Sequence, residues 1–125
     1  MNTPLPQRGE FQIELTDETN EKVLINLKFN FQSMARMEER IGYALTKVAN
    51  EVTSMNMKLK PIVDIFYEGA FEAKSKISYN DLADMIMATG FPGVARQVIT
   101  VVMKMLVAGK DEIPEGKEVP ETETK

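Results

Sequence analysis

Asp64, Glu68 and Glu72 recur every fourth residue and are the nearest this chain comes to a constellation able to do chemistry. Three carboxylates on one helix face offer hard oxygen donors to a divalent cation. Ile62, Ile65, Phe66 and Ala73 hold the opposite positions, however, so the acidic row reads as the solvent face of an amphipathic helix. Lys76, four residues beyond Glu72, can partner it if the helix runs that far. Glu38 is a different case, because it projects among Phe31, Met34, Ala35 and Ile41. A carboxylate on an apolar side must be ion-paired or must accept hydrogen bonds. Glu38 is therefore expected to be a buried structural carboxylate, paired with Lys or Arg or capping a neighbouring helix.

The chain contains neither His nor Cys. Without them there is no imidazole base, no thiolate nucleophile, no disulfide and no sulfur-ligated zinc. Gly-rich phosphate loops and metal motifs are absent as well. The expectation is a non-enzyme with no catalytic residue, no metal site and no cofactor. Net charge is −4, of which residues 110–125 carry six acidic and three basic side chains. The remaining body is close to neutral, which permits self-association and offers no basic face for nucleic acid.

Around these residues the chain falls into recognisable elements. Residues 1–9 are polar and Pro-rich, predicting a flexible arm. They contain no apolar signal core, and Lys104 interrupts the longest apolar run, so neither secretion nor a membrane span is expected. Phe11, Ile13 and Leu15 alternate with polar residues, as do Val23, Ile25, Leu27 and Phe29, and a polar link with turn formers joins them. That pattern predicts an N-terminal β-hairpin. Asn30 then caps a helix with Phe31, Met34, Met37 and Ile41 on one side, ending at Gly42. A shorter helix around Leu45, Val48 and Val52 follows. Pro61 begins a helix to about Lys74, Ser78 to Asp81 resembles a capping box for a helix to Gly90, and a last helix runs from Pro92 or Gly93 to Gly109. Residues 110–125 predict a disordered acidic tail. The fold class is mainly α (α+β): a hairpin, four to five packed helices, and one domain over residues 10–109.

The last helix combines a narrow polar arc of Arg96, Gln97, Thr100 and Lys104 with apolar residues over most of its remaining circumference. Such a helix must be enclosed on several sides, either by the rest of the domain or in part by another chain. Met103 and Met105 lie about 200° apart on the wheel, at ~100° per residue, and Met85 and Met87 repeat that step on the preceding helix. One of each pair should face away from the main core. Met85, Met87, Val101, Met103, Met105 and Leu106 are therefore the candidate partner-binding residues, methionine being suited to adaptable contact.

The hairpin leading into Phe29-Asn30-Phe31, followed by Met37-Glu38-Glu39-Arg40-Ile41-Gly42, resembles the start of the small tail assembly chaperones of long-tailed phages and gene transfer agents. The helix from Pro61 to Lys74, the segment ISYNDLADMIMATG from Ile77 to Gly90 and the terminal helix to Gly109 resemble the rest of that layout. The resemblance spans about residues 10–109. It implies a cytoplasmic assembly factor that binds the tape measure protein and tail tube subunits and is absent from the finished virion. A small structural connector of the particle and a regulatory protein-binding domain are the competing expectations.

Overall fold

Strand alternation produces two paired strands, β1 (Glu10–Thr16) and β2 (Lys22–Lys28). They run antiparallel with Phe11 opposite Leu27, Ile13 opposite Ile25 and Leu15 opposite Val23. This computed structural model describes residues 9–106; the expected acidic tail, residues 107–109 of the expected last helix and all but the final residue of the expected arm lie outside them. Gly9 corrects the arm boundary. Its carbonyl accepts from the Phe29 N–H at 2.7 Å, so it extends the ladder. Its φ of 86° and the Phe29 carbonyl oxygen packed against it leave no room for a Cβ.

The turn is organised by Asp17. One carboxylate oxygen accepts from the N–H groups of Thr19 and Glu21 and from the Thr19 hydroxyl, while Asn20 adopts φ 71°. Pairing between Gly9 and Phe29 and between Asp17 and Glu21 places the ladder bonds at odd-numbered positions of β1. Even-numbered residues therefore aim their backbone groups at the sheet's two rims. On the β2 rim, the Ser75 and Ser33 hydroxyls donate to the carbonyls of Asn26 and Lys28 at 2.9 and 3.0 Å. On the β1 rim, the Thr16 N–H donates to Thr89 Oγ1 at 2.7 Å.

Five helices follow: α1 (Phe31–Ile41), α2 (Leu45–Thr53), α3 (Leu59–Glu72), α4 (Tyr79–Thr89) and α5 (Phe91–Leu106). Asn30 and Ser33 form a reciprocal capping box at the start of α1, and Gly42 closes it in the left-handed conformation, donating to the Glu38 carbonyl. Ser78 accepts from the Asp81 N–H to start α4. Residues 54–58 separate α2 from α3.

The most enclosed helix is α3, which touches α1, β2, α4 and α5. Pro61 through Phe66, together with Glu68, Gly69 and Ala70, are buried, and the Phe29 ring lies on Gly69. The inner hairpin face adds Ile13, Leu15, Ile25 and Leu27 to this core. Helix α5 buries Val94, Ala95, Val98, Ile99, Val101 and Val102, mainly against α2, α3 and α4. Its polar arc is exposed as its sequence predicts. No single described helix is long and apolar enough to cross a membrane, and α4 and α5, which together would suffice, are bent by 111°.

Candidate functional site

The most organised polar assembly lies on the seam where α1 runs against α3. Arg36 Nε donates to Glu68 Oε1 at 2.9 Å, and its terminal nitrogen donates to Glu72 Oε1 at 2.7 Å. Arg40 Nε donates to Glu68 Oε2 at 2.8 Å. The Asn30 amide completes Glu72 by donating to Oε2 at 3.0 Å. Further along α3, Tyr79 donates its hydroxyl to Asp64 Oδ1, and Lys60 donates to Oδ2 at 2.7 Å. Aromatic faces line the seam: the Arg40 guanidinium stacks 5.2 Å over Tyr67, Arg36 lies 5.1 Å over Phe71, and Tyr67 meets Tyr79 edge to face.

This geometry corrects the reading of Asp64, Glu68 and Glu72 as a solvent face. Asp64 is fully buried, Glu68 is 6% exposed and Glu72 is half-buried. A polar row opposite an apolar one has the same periodicity whether it meets water or a neighbouring helix's arginines. The available signal was the matching four-residue step of Arg36 and Arg40 on α1, which sequence reasoning missed along with Tyr79. Each of the six carboxylate oxygens already holds a donor. Among the described residues, no cluster of acidic side chains is arranged to hold a metal ion.

The charges tune one another. Hydrogen bonds from Asn30 and then Arg36 hold the Glu72 carboxyl below its ordinary value of 4.5. Partial burial, reinforced by the bond to Asp64, pushes the Tyr79 hydroxyl up to about 12. Pairing with Glu68 raises both arginines further. The assembly is thus a set of satisfied ion pairs that locks α1, α3 and α4 together.

Glu38 is not buried, contrary to expectation. Its Oε2 accepts from the Leu45 N–H at 2.8 Å and so caps α2, the neighbouring-helix role being the correct half of the reading. Phe31, expected on the inner side of α1, is 84% exposed; Ser33 and Met37 are the buried residues there.

The candidate partner-binding residues separate into two groups. Met85 and Val101 belong to the core, so they present no surface to a partner, and Met105 is partly buried beside Gly9. Met87, Met103 and Leu106 are exposed. The geometric expectation that one methionine of each pair turns outward holds for both helices. Met103 borders a shallow groove with Lys47, Ala49, Asn50 and Thr53 of α2. Phe71 is a second exposed ring, one the sequence reading did not single out.

The fold and the seam define a small helical domain fronted by a two-stranded hairpin, held by internal ion pairs and bearing isolated large apolar side chains on its surface. Comparison with protein-family models, with curated proteins and with solved structures returns no match.

Proposed function

We propose that this chain is a non-enzymatic protein-binding domain that acts as a phage tail assembly chaperone. In this role it holds the tape measure protein in the host cytoplasm, helps tail tube subunits gather around it, and leaves before the particle is complete. The observation that carries the reading is the surface distribution of large apolar side chains. Phe31, Phe71, Met87, Met103 and Leu106 stand out from four of the five helices, while the carboxylates of α3 are consumed by internal donors. Scattered apolar anchors on a rigid helical frame suit capture of an amphipathic helical client. Methionine adapts to clients that vary in sequence. The pattern of elements from the hairpin through the last helix, which resembles the tail chaperones, supplies the specific assignment.

The test is co-expression with the tape measure protein encoded nearest the same gene. The expected result is a soluble complex of the two and no trace of this chain in purified particles by mass spectrometry. A client that stays insoluble overturns the chaperone assignment, and stoichiometric chain in the particle replaces it with a structural connector.

A further inference from the structure

Two exposed rings share one end of the α1–α3 seam. Phe31 opens α1 directly after Asn30, whose amide donates to Glu72, and Phe71 immediately precedes Glu72. Phe71 is 57% exposed and carries the Arg36 guanidinium over its face. It also lines a shallow groove with Glu72, Lys74, Ser75 and Lys76. Lys28 lies close enough to act on the Glu72 charge. Neither Lys74 nor Lys76 has a carboxylate within ion-pair distance among the described residues, where the ion pairs engage Arg36, Arg40, Lys58 and Lys60.

Lys74 and Lys76 thus set two positive charges beside the Phe71 ring on a chain whose net charge is −4, whereas Lys28 stands opposite Glu10 in the ladder. Exposed aromatic rings beside an arginine are the residue types that anchor protein interfaces, and unpaired lysines around them select the sign of what binds. Glu72 turns both its oxygens to Arg36 and Asn30, and its charge is shared with Arg36 and Lys28, so the cations left at the groove are Lys74 and Lys76.

We infer that this end of the molecule docks an acidic segment of a partner chain that carries aliphatic or aromatic anchors. The inference rests on the protein-binding reading and deepens it by naming a surface and the chemistry of its occupant. The rings take the anchors, and Lys74 and Lys76 take the carboxylates. By contrast, the groove beside Met103 has Lys47 as its one cation, and nothing in it distinguishes one occupant from another.

The test uses the full chain and a short fluorescein-labelled synthetic peptide of Asp, Glu, Leu and Phe, with a control in which Lys replaces every acid. Fluorescence anisotropy should show saturable binding of the acidic peptide at least about tenfold tighter than the control, weakening with added salt. Phe71→Ala should reduce affinity about tenfold, as should Lys74→Glu combined with Lys76→Glu, with the circular dichroism spectrum unchanged. Phe31→Ser, at a side chain outside the core, gives a second reading if Phe71→Ala perturbs the fold. Absence of saturable binding, equal affinity for both peptides, or indifference to all of these variants overturns the inference. Carbodiimide crosslinking of the chain alone supplies the other arm. Efficient coupling of Lys74 or Lys76 to carboxylates of residues 111–123, within one chain or between copies, would make the chain its own occupant and overturn the assignment to a separate partner. Failure here leaves the tape measure result untouched, since client solubility is read without these peptides.

Discussion

Tyr79 donates its hydroxyl to Asp64 Oδ1, joining the first residue of α4 to a carboxylate that has no exposure at all. Lys60 takes the other oxygen from the solvent side. The pair explains how a central helix keeps an aspartate inside the core. Its charge is satisfied by one donor from its own helix and one from the next.

Removing that hydroxyl should be costly. Tyr79→Phe leaves a buried carboxylate oxygen without its donor, and we expect a loss of about 2 kcal/mol in urea unfolding at neutral pH. Asp64→Asn in the Tyr79→Phe background should recover part of the loss, because a neutral amide is cheaper to bury than a charge. An additive double mutant would show that the two residues do not interact.

Partial burial of the Tyr79 hydroxyl, reinforced by the same bond, sets an alkaline limit. The Tyr79 hydroxyl is raised from 10.0 to about 12 in the folded chain, so folding favours its neutral form. That contribution is fully present below about pH 10 and is lost as pH rises through about 12. Absorbance at the tyrosinate band should therefore show Tyr79 ionising well above a free tyrosine, with Tyr79→Phe removing that late step. A Tyr79 transition at the ordinary position would rule the contact out in solution.

Glu72 gives the acid counterpart. Its folded carboxyl lies below 4.5, so its contribution is present above that value and disappears as pH falls through the folded one. Glu72→Gln should flatten the acid limb of the stability curve. Carbon-detected NMR titration should show Glu72 moving back toward 4.5 in Asn30→Ala, whose lost hydrogen bond is the larger cause.

Much of the scaffold was legible in the sequence. The alternation of Ile13 and Leu15 with Gln12 and Glu14 gave the hairpin's inner face, and Asn30 and Gly42 bracketed α1 because each end needs a particular backbone solution. The seam was not legible. Helical periodicity reports that Glu68 and Glu72 share a face but not what that face meets, and only the crossing of α1 over α3 brings Arg36 and Arg40 to them. Phe31 misled for a related reason: the Asn30 cap fixes where α1 starts, which turns its first side chain outward and leaves Met37 to fill the core. Val101 shows that a helix wheel underestimates burial when three other helices pack around one.

Glu38 tests the corner between α1 and α2. Glu38→Ala should cost about 1 kcal/mol by leaving the Leu45 N–H unsatisfied, while Glu38→Gln, which keeps an acceptor, should cost less. Hydrogen exchange should accelerate at Leu45 and the next turn of α2 in the alanine variant. Protection unchanged there would show that the cap is not held in solution.

The two rims of the hairpin are finished unequally. Serine hydroxyls occupy carbonyls along β2, whereas at Gln12 and Glu14 of β1 the outward backbone groups have no hydrogen-bond partner among the described residues. A second molecule can extend the sheet along β1 there, as it can at Leu24 of β2, whose outward backbone groups likewise have no hydrogen-bond partner among the described residues. Antiparallel addition of one β1 to another, centred on Gln12 or on Glu14, sets glutamate beside glutamate, and like charges in facing positions oppose the contact. The outward acidic side chains thus discourage stacking into ribbons while leaving the strand open to a segment of opposite charge.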